Sequence, residues 1–393
     1  MGLSISLSSM LRGVAWLAGS ASAAHISSPR AASSDCKLPA NNNVYLSSGF
    51  GYELNCAPST GSLNAFMIFV DFPDQGATDT PQDLYSVFLP GAAEWYASSS
   101  YGKLSLNVSA DTSRFYRMPA TAASYGWQRG LTSEAHQKYI QDALDAYIRV
   151  AGQQALPTVD VLYVVPTANA TAISFSPTYM GDVATRSGRA VAKKCVTFGH
   201  DAYATWHYKV LNHETGHTMC LPDMYPLPSG PTGLYIGGWD MMGYINGPSP
   251  DYFAWNKWRL GWLSDEQIDC VTAAGSTTHT LSPLETTGGI KAVVVKHNST
   301  AALVAEVRSA HGVDSATCAA GVLLYSVSTV TETGLGPIRV LDANPGSGGC
   351  AGDELNDAPL SLDRTRSYTV PGWNVTVSLT SKSGDDYVVN IRV

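Results

Sequence analysis

Charged residues are scarce in this sequence of 393 residues, and basic residues are the scarcer kind. Asp, Glu, Lys and Arg together make up 14% of the chain, with 24 Lys and Arg against 32 Asp and Glu, which gives a formal net charge of −8. Proteins that bind nucleic acid or anionic lipid surfaces need clustered positive charge. We therefore expect neither nucleic acid nor a membrane among the partners.

Long apolar runs are missing as well. No stretch supplies the ~20 consecutive apolar residues that a transmembrane helix needs. The amino terminus carries instead one charge, Arg12, a short apolar stretch over residues 13–18, and the small-x-small triplet Ala21-Ser22-Ala23. This order is typical of a secretory signal peptide. We predict a signal peptide over residues 1–23 and a soluble, extracellular protein.

Glycosylation sites and cysteines favour the same compartment. Four Asn-x-Ser/Thr sites are present, which fits glycosylated surface loops: Asn107, Asn169, Asn298 and Asn374. The seven cysteines suit an oxidising environment. Their spacing favours the disulfides Cys36–Cys56 and Cys318–Cys350. The other three would form one pair and leave one free thiol: Cys195, Cys220 and Cys270.

The first half of the chain alternates strand and helix signals. Apolar runs over residues 64–72 and 159–165 predict buried strands. Helical spacing predicts a helix over 133–151 and a further helical segment over 82–97, which Pro90-Gly91 interrupts. This order predicts an α/β (α+β) domain over residues 63–265.

The flanking regions differ from this domain. Residues 24–62 lack periodicity and are rich in Ser, Asn, Gly and Pro, which predicts an extended lead-in or a short pro-segment. After residue 266 the helical signal fades. Seven short segments there predict strands of an all-β, sandwich-like domain over 266–393: 278–281, 292–296, 303–307, 322–327, 338–341, 375–379 and 387–393.

Residues 213–217 read His-Glu-Thr-Gly-His. Histidines four residues apart lie on one face of a helix, one turn apart, where both can bind the same metal ion. Glu214 lies on the same turn, where it can accept a proton from water on the metal. This is the His-Glu-x-x-His arrangement of two zinc ligands and a general base. The pentapeptide by itself is weak evidence, because it also occurs by chance.

A third ligand is expected at Asp223, six residues after His217. Pro222 cannot continue a helix, so the chain must turn there and can bring this carboxylate back to the metal. Asp240, 23 residues after His217, is the rival, because other zinc peptidases take a carboxylate ligand from further along the chain. We favour Asp223, since Asp240 falls within a turn motif and is expected to accept hydrogen bonds from backbone amides there.

The second motif is Gly-Gly-Trp-Asp-Met-Met-Gly-Tyr, over residues 237–244. A Met on a tight turn beneath the metal, with a Tyr two residues later, forms the floor of the zinc site in metzincin peptidases. Together with residues 213–225, this motif resembles the immune inhibitor A family of secreted metallopeptidases. The resemblance covers about residues 64–264 and includes three further segments: 70–74, 100–104 and 255–262.

The resemblance implies a secreted zinc endopeptidase of metzincin type that acts on extracellular proteins and peptides, and we expect a monomer. It implies one catalytic Zn²⁺, with Glu214 as the general base and three ligands: His213, His217 and Asp223. Met242 would supply an apolar floor. Tyr244 would either donate a hydrogen bond to the oxyanion or pack its ring below the metal.

The resemblance also implies structural Ca²⁺ in surface loops. Asp71 and Asp74 are candidate calcium ligands, beside the commoner role of capping the turn that ends a strand. One position departs from the family, which usually has Gly where this chain has Cys220. Gly accepts a positive φ that costs other residues about 1 kcal/mol or more. Either this turn avoids that conformation, or a disulfide, to Cys195 for example, holds it.

Three alternatives stay open. Cys36 could supply a thiolate that caps the zinc in a latent form, although a structural disulfide is favoured. The protein could instead be a catalytically silent, protease-like binding or adhesion protein that uses its β domain. The intact set of His213, Glu214, His217 and Asp223 argues against this. A zinc hydrolase of non-peptide amides is the third alternative.

Overall fold

A computed structural model describes residues 1–2, 31–52, 55–227 and 229–393. Apart from Met1 and Gly2, the predicted signal peptide lies outside the described residues, as does the beginning of the predicted lead-in. Among the described residues, no helix combines the length and the apolar character needed to cross a membrane.

A seven-stranded sheet forms the centre of the amino-terminal part. Its strands are β1 (Gly61–Asp71), β2 (Leu104–Ala110), β3 (Tyr116–Arg117), β4 (Val159–Pro166), β5 (Thr178–Tyr179), β6 (Val183–Ala184) and β7 (Ala190–Thr197). The order is β2-β1-β4-β7-β5, with β3 also paired to β1 and β6 to β7. Strands β2, β1, β4 and β7 run parallel, whereas β5 runs antiparallel to β7 at the edge.

Helices cover both faces of this sheet. They are α1 (Pro81–Phe88), α2 (Gly91–Ser99), α3 (Ser133–Ala151), α4 (Tyr208–Thr218) and, later in the chain, α5 (Ala254–Arg259). Side chains alternate across β1, so Ile68 belongs to the apolar cluster that contains α3, whereas Met67 and Phe69 belong to the cluster that contains α1, α2 and α4. The predicted helix over 133–151 is confirmed. The predicted segment 82–97 is two helices, because Pro90 lies between them.

Two further sheets form the carboxy-terminal part. The strands are β8 (Ile268–Val271), β9 (Ser276–Leu281), β10 (Ala292–Lys296), β11 (Ala301–Arg308), β12 (Gly321–Ser328), β13 (Ile338–Val340), β14 (Ser367–Val370), β15 (Val375–Ser383) and β16 (Asp386–Arg392). One sheet has the order β13-β12-β11-β10-β8 and the other β14-β15-β16-β9. Side chains of both sheets, including Val293 and Ile391, share one buried cluster. Each of the seven predicted segments coincides with a strand, although 338–341 and 387–393 run one residue past the strand's end, and the four-residue strands β8 and β14 were not predicted.

The apolar core continues from the helices into the five-stranded sheet. Val294 and Val304, on the other face of that sheet, belong to the same buried cluster as Trp255 and Trp262. Arg308 of β11, whose side chain is completely buried, donates hydrogen bonds to the carbonyls of Trp239, Ser249 and Asp251. The mixed α/β class is confirmed, and β11 holds the chain that follows α4 in place.

The disulfides differ from those predicted. Cys318–Cys350 is confirmed, but the predicted Cys36–Cys56 pair is wrong. The bonds formed are Cys36–Cys270 and Cys56–Cys220. Spacing along the chain misleads here, because the lead-in lies against two distant segments: β8, and the turn after α4. Cys36 is therefore in a disulfide and offers no thiolate to a metal.

Cys195 is the free cysteine among the described residues, and it is buried. It belongs to the cluster on the α3 face of the sheet, whereas the turn after α4 packs on the opposite face. A disulfide between Cys195 and Cys220, one of the options from the sequence, is therefore wrong.

Candidate metal centre

Helix α4 carries the His-Glu-x-x-His motif, and a distorted turn precedes it. A π-helical turn, Ala202–Trp206, is followed by His207 with φ +50°, and α4 begins only at Tyr208. A positive φ is incompatible with continued α-helix, so His207 separates the two segments. The motif nevertheless lies within α4, which presents both histidines on one face.

The helix ends in a turn that directs the chain back toward the two histidines. Cys220 N donates to His217 O at 2.8 Å, and Leu221 N donates to Gly216 O at 3.1 Å. This pair of bonds is the Schellman arrangement, which requires a left-handed residue just after the helix. Cys220 is that residue, with φ +66°, and its disulfide to Cys56 holds it. The turn thus has the conformation for which glycine is usually selected.

Backbone carbonyls orient both imidazoles. His213 Nδ1 lies 2.7 Å from Met241 O, and His217 Nδ1 lies 2.8 Å from Leu221 O. A carbonyl can only accept, so each Nδ1 carries a proton, and each Nε2 is the ring nitrogen left to bind a metal ion. The rings are perpendicular, at 89°, with centroids 4.8 Å apart. Such second contacts fix a histidine ligand in the tautomer that binds metal.

Asp223 faces both Nε2 atoms. Its Oδ1 lies 3.3 Å from His213 Nε2 and 3.1 Å from His217 Nε2. This oxygen is buried, and no donor among the described residues makes a well-directed hydrogen bond to it. Two imidazole nitrogens and a carboxylate oxygen are ligands that Zn²⁺ prefers. A cation would satisfy all three atoms together, and the residues present therefore fit a zinc ion.

The electrostatics of His217 and Asp223 are coupled. Burial alone would lower the pKa of His217, but the Asp223 carboxylate outweighs burial and raises the pKa to about 9. Burial would raise the pKa of Asp223, yet the charge of His217 holds it well below its usual range. Without a metal, the pair thus favours a proton between carboxylate and imidazole. A divalent cation competes for the same position.

Glu214 lies beside this group. One ligand atom each of His213, Glu214 and His217 lies within 4.8 Å of the others. Glu214 Oε2 accepts a hydrogen bond from Thr178 Oγ1 at 2.7 Å, which orients the carboxylate from the edge strand β5. Burial raises the pKa of Glu214, and the two histidines oppose this rise. The carboxyl group is placed to accept and release a proton next to the two Nε2 atoms.

Asp240 is used within its own turn. Its Oδ1 accepts from Met242 N at 2.8 Å, and its Oδ2 accepts from Phe253 N at 2.8 Å and from Asn256 Nδ2 at 3.3 Å. Burial raises the pKa of Asp240 to about 7, against the effect of these donors. The structure therefore places Asp223, and not Asp240, against the two histidines.

The methionine turn lies beneath the helix, as expected from the motif. Met242 is completely buried, and Met241 supplies the carbonyl that orients His213. Tyr244 is half-buried, and its amide donates to Asp240 O at 3.2 Å. Its hydroxyl makes no hydrogen bond to either histidine among the described residues. Both roles considered for Tyr244, the hydrogen bond to the oxyanion and the packing below the metal, stay predictions.

A different tyrosine lies against the candidate ligands. The ring of Tyr225 lies 6.1 Å from that of His213, tilted by 35°, and the Arg129 guanidinium lies near its hydroxyl. Thr178, Arg129 and Tyr225 were all missed from the sequence. Tyr225 could have been noticed, since it follows Asp223 by two residues. Thr178 and Arg129 carry no motif, and only the fold brings them here.

The two candidate calcium ligands bind protein groups. Asp71 accepts from Arg117 Nε and Nη2, both at 2.7 Å. Asp74 Oδ1 accepts from Ala122 N at 2.9 Å, which caps the segment that follows β3. Asp71 Oδ2 also accepts from Ala77 N at 3.3 Å, across the turn that ends β1, which is the alternative capping role, whereas Asp74 caps a later segment. Calcium binding elsewhere in the chain stays a prediction.

Comparison of the chain with protein-family models and with curated proteins finds no match in either.

Proposed function

We propose that this protein is a secreted zinc endopeptidase of metzincin type, related to the immune inhibitor A family that its sequence resembles. The observation that carries the proposal is the close meeting of three ligand atoms: Nε2 of His213, Nε2 of His217 and the buried Oδ1 of Asp223. An intact set of ligands beside a buried glutamate favours an enzyme over a silent binding protein. The three disulfides favour an oxidising compartment.

His213, His217 and Asp223 would hold the metal. Zinc bound there would polarise a peptide carbonyl and lower the pKa of water near neutral pH. Glu214 Oε2 takes the proton from the attacking water and passes it to the leaving amine. Thr178 keeps that oxygen in place, and the carbonyls of Met241 and Leu221 keep both imidazoles in the required tautomer. Met242 contributes packing and no proton transfer.

The test compares the purified wild-type protein with Glu214→Gln. We expect one zinc per chain in both proteins, cleavage of casein by the wild type alone, and loss of that cleavage in chelator. Glu94→Gln, which changes an exposed glutamate on α2, is the matched control and should cleave normally. Wild-type protein without zinc would refute the proposal. Zinc in the wild type without cleavage would favour the silent binding protein.

The same assay separates the two tyrosines. Tyr225→Phe and Tyr244→Phe each remove one hydroxyl and keep the ring. If a hydroxyl stabilises the oxyanion, its loss lowers kcat by about 10²-fold or more, while zinc content is unchanged. A kcat equal to that of the wild type in both variants would show that neither hydroxyl takes part in the reaction.

A further inference from the structure

The third candidate ligand is held by a loop of the carboxy-terminal sheet. Asp223 N donates to Thr333 Oγ1 at 2.8 Å, and Asp223 O accepts from Gly334 N at 2.9 Å. Both residues lie in the loop between β12 and β13, residues 329–337. The backbone of Asp223 is therefore bound on both sides by consecutive residues that lie 110 positions or more further along the chain.

Neighbouring hydrogen bonds hold the residues that follow Asp223. Leu227 N donates to Gly334 O at 3.1 Å, so the chain after Asp223 follows the same loop. Met224 N donates to Met242 O at 2.9 Å, which binds the opposite side of the segment to the methionine turn. Gly334 has φ +71°, and a Cβ there would overlap the side chain of Leu227. Glycine is thus required for this close approach.

The loop itself is anchored. Its ends are joined by Ser328 N, which donates to Pro337 O at 2.8 Å, and Leu335 N closes a turn onto Glu332 O at 3.1 Å. The lead-in holds its first residues, since Ser47 Oγ donates to Thr329 O at 2.9 Å and Ser48 Oγ to Ser328 O at 2.9 Å. An anchored loop can position a ligand, whereas a free one could not.

We propose that Thr333 and the loop 329–337 position Asp223 for metal binding, so that the carboxy-terminal sheet is part of the metal centre and not an accessory module. This inference rests on the proposed function. Asp223 has no helix to fix it, unlike His213 and His217. Its Oδ1 must stay within reach of both Nε2 atoms, and the contacts that set its backbone are those to Thr333 and Gly334. Thr333 is a positioning residue, since it touches neither metal nor substrate.

The first test measures zinc affinity by competition with a chromophoric chelator. Thr333→Val keeps the shape and removes the acceptor of Asp223 N, whereas Thr333→Ser retains an acceptor. Thr331→Val is the matched control in the same loop, because Thr331 Oγ1 donates to Ser328 Oγ and not to Asp223. Loss of an outer partner of a ligand weakens metal binding by about 10–100-fold. We expect that loss for Thr333→Val, and affinities close to the wild type for Thr333→Ser and Thr331→Val.

The second test needs no variant and covers the case in which Thr333→Val fails to fold. Hydrogen exchange of the wild-type protein is compared with and without added zinc. Residues 329–337 contain no proposed ligand, so their amides become more protected on zinc binding only if the loop is coupled to Asp223. We expect slower exchange in 221–227 and in 329–337 together.

The outcomes separate the two proposals. A wild-type protein that binds no zinc refutes the proposed function, and the positioning role with it. A wild type that binds zinc, with unchanged affinity in a folded Thr333→Val variant or unchanged exchange over 329–337, overturns the positioning role alone.

Discussion

Gly216 of α4 lies directly against Met242 of the turn beneath it. A Cβ at residue 216 would lie 2.6 Å from Met242 Sδ and 2.7 Å from Tyr252 Oη. The helix can therefore approach the turn closely enough for Met241 O to reach His213 Nδ1. The glycine between the two histidines of the motif thus has a packing role that the motif itself does not reveal.

Gly216→Ala should destabilise the protein. In an ordinary helix this change stabilises by about 0.5–1 kcal/mol, because glycine is conformationally costly there. Here the added methyl group must displace Met242 and Tyr252, and overpacking of a filled core costs about 1–3 kcal/mol. Urea unfolding followed by circular dichroism measures the difference. A more stable Ala variant would show that the turn can move away without cost.

The turn after α4 should prefer glycine once its disulfide is removed. Cys56→Ser is combined with Cys220→Gly in one variant and with Cys220→Ala in another. Residue 220 has φ +66°, which glycine adopts freely and alanine adopts at a cost of about 1 kcal/mol. The Gly variant should therefore unfold at higher urea. Equal midpoints would mean that the disulfide, and not the turn, imposes the positive φ.

Asp223→Asn should lower metal content, whereas Asp240→Asn should lower stability. Asparagine at 240 directs an NH₂ group at a buried backbone N–H, which should lower the free energy of unfolding by about 1–3 kcal/mol. The folded protein should keep its zinc. Asparagine at 223 removes the charged ligand and should lower zinc content. Metal analysis and urea unfolding of both variants provide the measurement. Zinc lost from a folded Asp240→Asn variant, but kept in Asp223→Asn, would restore Asp240 as the ligand.

His136 should make the protein sensitive to mild acid. It lies on α3, its Nε2 is 3.0 Å from Thr197 Oγ1, and Trp127 and Tyr179 pack against its ring. Burial lowers its pKa to about 4, from 6.5 in the unfolded chain. The folded state therefore binds a proton on His136 less readily than the unfolded chain does. The stability contributed by the neutral His136 ring is complete above pH 6.5 and is lost as the pH falls through 4. The loss amounts to about 3 kcal/mol.

The variant His136→Gln keeps a group that can bond Thr197 but does not titrate. The free energy of unfolding, measured between pH 7 and pH 4, should fall less steeply for this variant than for the wild type. His297→Gln changes an exposed histidine and serves as the control. The same slope for all three proteins would show that His136 accepts its proton without penalty in the folded state.

Much of the candidate site is predictable from sequence because its signals are local. Periodicity alone places helix α3 over Ser133–Ala151, and the spacing of His213 and His217 places both rings on one face. Pro222 and the carboxylate after it identify Asp223, although only the structure decides between it and Asp240. Each of these inferences depends on residues within a few helical turns of one another, over which backbone geometry is almost independent of the rest of the fold.

The remainder depends on which distant segments lie together, and no local pattern records that. Cys56 forms a disulfide with Cys220, 164 residues away, and Thr333 accepts a hydrogen bond from Asp223, 110 residues away. Thr178 orients Glu214 because β5 forms the edge of the sheet beside α4. The sequence by itself determined the helix, the donor atoms and their spacing. Only tertiary packing decided which partners hold those atoms, because burial of apolar faces, and not spacing, brings the two sheets and the lead-in around α4.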